Sequence, residues 1–283
     1  CRKAARAGSV KYEVGSPLPT IWRWQGRDAG PGAAHDGGSC RRAGRRVGIG
    51  RWNALVAQSQ WKTLAVWKVD LHCHTRFSRD SLTEPAKLLE AIRRKGLDKV
   101  AITEHNNLRG ALALHALAPD LVIIGEEIRT LEGELIAYFV TEEVPRGLTL
   151  RETIAWLRAQ GAVISVPHPC DSLRGSAIGE ENLLSIIEQI DAVEVWNARC
   201  LRAGDNDRSL TIARRYGKLT TAGSDAHTPG EVGAAYVELP PFGNADEMRA
   251  SLARARVVGQ LSPARVHLAS TWASLWRHLV GNR

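Results

Sequence analysis

The sequence predicts an α/β chain whose strands and helices repeat as β/α units, at a length that a single barrel would fill. Three observations carry that prediction. From Trp67 onward short apolar runs alternate with amphipathic segments, the texture of parallel β/α units. The polar residues with chemical potential gather just after those runs, as they do where barrel strands end on one face. A length of 283 residues suits one large barrel with an appendage.

Strands are expected near 67–72, 99–104, 121–125, 135–140, 162–166, 192–196, 219–223 and 235–239. Between them, Thr83-Glu84-Pro85 reads as an N-cap with proline early, where its missing N–H costs nothing. Leu88, Leu89 and Ile92 form the stripe that this helix buries before Gly96 ends it. Further helices are expected at about 149–160, 180–189, 205–216 and 244–255. From 259 to 283, Leu268, Trp272, Leu275, Trp276 and Leu279 recur at helical spacing. That tail reads as a terminal helix packed on the body, with a dimer contact as the alternative use of the stripe.

The formal charge of +8 is local. Residues 1–68 hold 13 Lys and Arg against 3 acidic residues, out of 38 and 30 in the whole chain. The remainder is therefore close to neutral. Residues 1–66 form a Gly- and Arg-rich leader in which neither the helical nor the strand period persists, with Arg41-Arg42-Ala43-Gly44-Arg45-Arg46 as its densest charge run and Trp22, Trp24, Trp52 and Trp61 scattered through it. Its composition is that of a disordered segment; the same basic and aromatic mixture can bind nucleic acid. Five cysteines without CxxC spacing argue against a disulfide scaffold or a zinc knuckle and point to reduced thiols in the cytoplasm. No apolar run reaches the length of a membrane span.

The chemistry centres on Asp70-Leu71-His72-Cys73-His74. Side chains on a strand alternate faces, so His72 and His74 point the same way and can grip one metal ion. His105, His168 and His227 each follow another apolar run. With Asp80, Glu104, Glu126, Glu127, Glu134, Glu194, Asn197 and Asp225 they make a set too costly to bury together unless cations bind it. Imidazole and carboxylate without thiolate favour zinc, manganese or iron over calcium. His35, His115, His267 and His278 fall outside these runs and read as structural or surface groups. Cys73 and Cys170 adjoin candidate ligands and read as fillers. Glu194 is either a site residue or a strand-end partner of Arg199.

Seven segments occur in order: Asp70-Leu71-His72-Cys73-His74, Ser78-Arg79-Asp80-Ser81, Ile102-Thr103-Glu104-His105-Asn106, Gly125-Glu126-Glu127-Ile128, Pro167-His168-Pro169, Val193-Glu194-Val195-Trp196-Asn197 and Gly223-Ser224-Asp225-Ala226-His227. Across residues 68 to about 240 this set resembles the PHP (polymerase and histidinol phosphatase) metal-dependent phosphoesterases. The resemblance implies a distorted seven-stranded (β/α) barrel, similar to a TIM barrel, over 67–258, with two or three divalent ions. His72, His74, Asp225 and a shared Glu127 would hold the first ion. Glu127 and His168 would hold the second, and Asp80, His105 and His227 the third. Glu104 stands where many members have Asp and reads as a group that orients an imidazole. Glu134 stands where many have His, and as a carboxylate it can still ligate.

The implied reaction is hydrolysis of a phosphate ester by a metal-activated hydroxide, with Asp225 or His227 shuttling a proton to the leaving oxygen. Arg174, Arg199 and Asn197 are the candidate substrate-binding groups; the two arginines serve equally as salt-bridge partners. The expected partner is a small phosphorylated substrate or nucleotide. Competing readings are a nuclease or nucleotide phosphatase assisted by the basic leader, and a metal-binding scaffold without catalysis.

Overall fold

A computed structural model describes residues 10–13 and 65–280. Residues 16–64 lie outside the described residues, and with them lie the arginine run, the leader tryptophans and His35. Of the leader, the structure describes one element. Strand β1, Val10–Glu13, pairs antiparallel with a late strand, so the expectation of an irregular leader does not hold for these four residues.

The remaining strands are β2 (Trp67–Cys73), β3 (Lys99–His105), β4 (Val122–Arg129), β5 (Glu134–Tyr138), β6 (Val163–Val166), β7 (Ala192–Asn197), β8 (Leu219–Gly223), β9 (Ala235–Leu239) and β10 (Arg256–Gly259). The helices are α1 (Pro85–Lys95), α2 (Arg109–Leu117), α3 (Leu150–Ala159), α4 (Gly179–Ile186), α5 (Ala203–Arg215), α6 (Ala245–Leu252) and α7 (Val266–Val280). Among the described residues the strands form one mixed sheet in the order β1-β10-β9-β2-β3-β4-β5-β6-β7-β8. Seven of them, β2 to β8, bend into a nearly closed barrel. Its two ends meet where Cys73 bridges Ala226 and the His74 N–H donates to the Ala226 carbonyl at 2.9 Å. Strands β9, β10 and β1 continue the sheet antiparallel from β2, outside the closed circuit. The expected fold class is therefore present, with the sheet wider than the barrel.

One expectation about direction is corrected. The β/α texture predicts parallel strands throughout, yet β5 runs antiparallel to both β4 and β6. Only residues 130–133 connect β4 to β5, too few for the helical crossover that a parallel neighbour requires. Strand β4 also runs to Arg129, so Glu126 and Glu127 lie within it and not beyond its end. Because β5 is inverted, its first residue, Glu134, arrives at the same face as the last residues of its neighbours. Strand β10 has no counterpart among the strands expected from sequence; its four residues are too short to show a period.

Local signals explain most helices. In α3 the Thr149 hydroxyl accepts from the Glu152 N–H while the Glu152 side chain accepts from the Thr149 N–H, a reciprocal cap. Helix α1 starts with Pro85 at its first turn and ends on Gly96 in the left-handed region, φ 64°. Thr83 is not its cap. The flanking residue is Glu84, and the Thr83 hydroxyl donates instead to the His227 carbonyl at 2.8 Å. Leu88, Leu89, Ala91 and Ile92 bury the inner face of α1. The tail helix differs from expectation more sharply. Only Ala273 of α7 is buried, while Leu268 and Leu279 are each 71% exposed, and Trp272, Leu275 and Trp276 are also open. The helix instead faces the barrel mouth with its small and polar side. Arg199 donates to the Ser270 hydroxyl at 2.6 Å, and Arg277 donates to the carbonyls of Arg76 and Ser81.

Barrel closure depends on one glycine. An ideal Cβ on Gly223 would lie 2.2 Å from the Cβ of His72 and 2.8 Å from its backbone N, so β8 reaches β2 only because no side chain intervenes. Gly223→Ala is expected to lower stability by about 1–3 kcal/mol through overpacking. Denaturant unfolding would measure it; an unchanged midpoint would mean that the two strands part there without cost.

Candidate metal centre

Side chains at the ends of β2, β3 and β6 converge on the carboxylate of Glu127 in β4, which is fully buried. Glu127 Oε2 lies 3.3 Å from His72 Nε2, 3.3 Å from His74 Nε2 and 3.1 Å from His105 Nδ1. Its Oε1 lies 3.1 Å from His168 Nε2. Asp225 closes the other side, with Oδ1 at 3.6 Å from His72 Nε2 and 3.3 Å from His74 Nε2. The alternation argument for His72 and His74 thus places both rings on the same two oxygens. Both His168 (φ 30°) and Asp225 (φ 52°) sit in the left-handed region, a backbone cost that L residues bear where their direction matters.

Two further groups border this core. Asp80 Oδ2 is 2.9 Å from His227 Nε2 and 3.4 Å from His105 Nε2. Glu134 is buried, with Oε2 at 3.8 Å from His168 Nε2 and Oε1 at 3.6 Å from Arg129 Nη1. The carboxylate that replaces a usual histidine therefore still points into the cluster.

A surrounding set of polar groups fixes the ligand directions, and sequence reasoning finds only some of it. Glu194 Oε1 lies 3.0 Å from His72 Nδ1, and its Oε2 accepts the His168 N–H at 2.8 Å. Of the two uses open to Glu194, the pairing with Arg199 falls away: the Arg199 guanidinium goes to Ser270 and lies 3.6 Å from Glu231. Glu104 touches no imidazole directly. It accepts from Thr75 and Ser78, and the Ser78 hydroxyl lies 3.1 Å from His74 Nδ1, so its influence on the ring passes through serine. Asn197 is fully buried, and its amide donates to Glu194 Oε2 at 3.1 Å and Asp225 Oδ2 at 3.2 Å. In this arrangement its amide orients two carboxylates. Three supporting groups escape sequence reasoning. Asp70 accepts the Ser224 N–H at 2.9 Å and the Gly233 N–H at 2.9 Å, tying β2 to the segment after β8. Glu231 accepts the His227 N–H at 3.2 Å, and the Ser81 hydroxyl donates to the His227 carbonyl. The partners of all three are backbone amides or a backbone carbonyl, which carry no signature in sequence, so these roles are not legible there.

Electrostatics show what holds the cluster together. At His105 burial opposes a positive charge, but Glu127 and then Asp80 overcome it and push the pKa up to about 10. His72 likewise resists burial because Asp225, Glu127 and Glu194 surround it, and its pKa lies well above 6.5. His74 goes the other way, down to about 3, through burial first and then the neighbouring His227 and His105. Burial raises Glu134, with Glu127 as a like-charged neighbour. Burial would raise Asp225 too, yet Arg174 and His72 hold it well below the usual carboxylate range.

The donors fit divalent ions. His74 Nε2, Asp80 Oδ1, Glu134 Oε2 and Asp225 Oδ1 are buried with no hydrogen-bond partner among the described residues. Four triplets have ligand atoms within 4.8 Å of one another: His74, His105 and His227; His72, His74 and Glu127; His72, His168 and Asp225; His105, Glu127 and Glu134. No thiolate joins them. Cys73, Cys170 and Cys200 are free, and burial raises the thiol of each, which disfavours ligation.

A cavity of about 360 Å³ opens over the centre, lined by Asp80, His105, Glu134, Arg174, Arg199 and His227 from the barrel and by His267, Ser270 and Thr271 of α7. Arg174 is aimed by two carboxylates, with Nη2 at 2.8 Å from Asp225 Oδ2 and Nε at 3.3 Å from Asp171 Oδ2. Arg199 Nη1 is buried without a hydrogen-bond partner among the described residues. His267, peripheral by sequence, belongs to this wall through Nε2 at 3.1 Å from the Arg199 carbonyl. His115 stays structural, with Nδ1 at 3.0 Å from the Val122 carbonyl, and His278 is exposed on α7.

The model of the PHP domain matches residues 70–156, and that of the PHP-associated region matches residues 203–257. The uncharacterized protein MJ0417 of Methanocaldococcus jannaschii is 39% identical over 175 residues, 61% of this chain and 70% of that protein. A second uncharacterized protein of the same organism, MJ1587, is 38% identical over 144 residues, 46% of this chain and 82% of its own. In fold, the chain is similar to a two-domain protein from Bacteroides vulgatus containing a predicted PHP-like metal-dependent phosphoesterase, with TM-score 0.57, 19% identity, and coverage of 74% of this chain and 70% of that one. PsfC from Pseudomonas syringae gives TM-score 0.54 at 18% identity, covering 77% of this chain and all of its own.

Two outcomes test the centre. A ligating imidazole must be neutral, and neighbouring carboxylates raise the pKa of His72 and push that of His105 up to about 10, so loading chelator-stripped protein with zinc at pH 7 is expected to release protons. An indicator dye in weak buffer reads this; loading without release would mean that these imidazoles do not ligate. Glu194→Gln is expected to weaken metal affinity about 10–100-fold by loosening His72, measured by competition with a chelating dye.

Proposed function

Because the chain belongs to the PHP domain family, we propose that it hydrolyses a phosphate ester at this centre, with two or three divalent ions (zinc, manganese or iron) as cofactors. The observation that carries the reading is the meeting of four imidazoles on the one buried carboxylate of Glu127, beneath a cavity with two arginines in its wall.

His72, His74, Asp225 and Glu127 would hold one ion, Glu127, His168 and Glu134 a second, and Asp80, His105 and His227 a third. Ions bound there lower the pKa of coordinated water toward about 7 and offset charge on the phosphoryl oxygens. The chain's own residues do the rest. Arg174, held in direction by Asp171 and Asp225, presents its guanidinium edge to a phosphoryl oxygen, and Arg199, whose Nη1 lies 3.6 Å from Glu231, adds positive charge to the same wall. Both arginines are candidates on sequence grounds, and in this reading both serve the substrate.

Of the two candidates for moving a proton to the leaving oxygen, geometry favours His227. Asp225 is fully buried, with Oδ2 engaged by Arg174 and Asn197. His227 lies on the cavity wall, with Nδ1 at 2.8 Å from the Asp225 carbonyl and Nε2 beside Asp80. An ion in the third position would take His227 out of that role, so a two-ion centre is the catalytic form in this reading. The substrate is a small phosphorylated molecule. Among the described residues no helix is long and apolar enough to cross a membrane, and the described cysteines are free, which supports a cytoplasmic setting.

The test is turnover of an aryl phosphate by metal-reconstituted protein. His72→Ala and Asp225→Ala are each expected to lower kcat at least about a thousandfold while the thermal melt still shows a folded chain. Undiminished turnover in either variant would refute the assignment.

A further inference from the structure

The cavity above the metal centre does not end there. A larger cleft of about 930 Å³ lies on the other side of His105, which lines both spaces. Helix α7 spans the two. His267, Ser270 and Thr271 border the smaller one, and Trp276, Arg277 and Val280 border the larger. The larger cleft gathers five arginines, Arg76, Arg79, Arg109, Arg146 and Arg277, against one carboxylate, Glu143.

That carboxylate is already engaged, since Glu143 Oε1 accepts the Leu108 N–H at 3.0 Å. Four of the five arginines, all but Arg76, make no ion pair within 4.0 Å among the described residues. Arg76 pairs with Glu84 at 3.2 Å, with both side chains half exposed, where such a pair is worth little. Arg109 and Arg76 lie over the ring of Phe77 at 4.8 and 5.3 Å, a stacking that sets the planes of their guanidinium groups without neutralising them. Arg277 is anchored by two backbone carbonyls, and its Nε is buried without a partner among the described residues. Concentrated, uncompensated guanidinium charge in a concave site is the arrangement that binds a dianionic phosphate.

We propose that the substrate carries two phosphates: one is cleaved over the metal centre, and the other docks in the arginine cleft beyond His105. This rests on the phosphoesterase reading and names its substrate class. Phe77 and Trp276 line the cleft that would take the second phosphate, and α7 borders both cavities.

A graded series of linear alkanediol bisphosphates, set against the matching alkanol monophosphates, tests this without presupposing a metabolite. Metal-reconstituted full-length protein is expected to show a kcat/KM for one bisphosphate length at least about tenfold above its monophosphate, mainly through KM. Arg109→Gln and Arg146→Gln change exposed side chains, and each is expected to reduce the ratio of kcat/KM for that bisphosphate over an aryl phosphate by about tenfold. Should aryl phosphate be hydrolysed while mono- and bisphosphates of every length perform alike, or should the variants leave that ratio in place, the second-phosphate assignment is overturned and the phosphoesterase reading stands. Should no ester be hydrolysed at all, the phosphoesterase reading fails and this proposal with it.

Discussion

Everything about this molecule's chemistry depends on burying one carboxylate, Glu127, among four imidazoles. A carboxylate with no access to solvent is costly to bury without positive charge or donors around it, and ring nitrogens of His72, His74, His105 and His168 lie within 3.3 Å of this one. The mutual dependence makes the centre a single unit. Removing Glu127 would leave four rings with no common partner, and removing the rings would strand a buried anion. A second ring of groups then resolves which way each imidazole faces: Glu194 behind His72, Ser78 behind His74, and the Asp225 carbonyl behind His227.

The barrel exists in the form that this cluster requires. Inverting β5 turns its first residue toward the face where neighbouring strands finish, which is how Glu134 reaches the centre from a position that a parallel strand would have placed at the opposite end. Closing the barrel between β8 and β2 brings Asp225 over His72 and His74, and the approach is so close that only glycine fits at 223. Asp70 secures the same seam from within by accepting N–H groups from Ser224 and Gly233. Strand closure and ligand geometry are therefore one constraint seen from two sides.

Helix α7 illustrates how a pattern can be right in type and wrong in use. Its apolar residues recur at helical spacing and the helix forms, but the stripe faces outward and the contacts with the barrel come from Ser270, Ala273 and Arg277. Apolar residues repeating once per turn identify a face; what that face meets depends on the rest of the fold. The position of α7 across the barrel mouth gives the two cavities a common wall, so the residues that shape access to the centre come from a segment with no ligand of its own.

Much of the site is legible in the chain alone. His72, His74, His105, His168 and His227 each follow an apolar run, and the resemblance to the Gly-x-Glu-Ile segment of the PHP family picks Glu127, with Glu126 facing the opposite way on the strand. Those are local properties, carried by residue type and spacing, and the alternation of strands and helices that announces β/α units is local too. The direction of β5, the existence of β10, the burial of Asn197 behind Asp225, the passage of Glu104's influence through Ser78 and the outward face of α7 are not local. Each depends on which segments become neighbours across tens to more than a hundred residues, and a hydrogen bond from a serine or a backbone amide leaves no trace in composition. The sequence by itself determined which chemical groups the protein has and near which strand ends they sit; tertiary structure decided which atoms they share, because distance between side chains is set by packing and not by spacing along the chain.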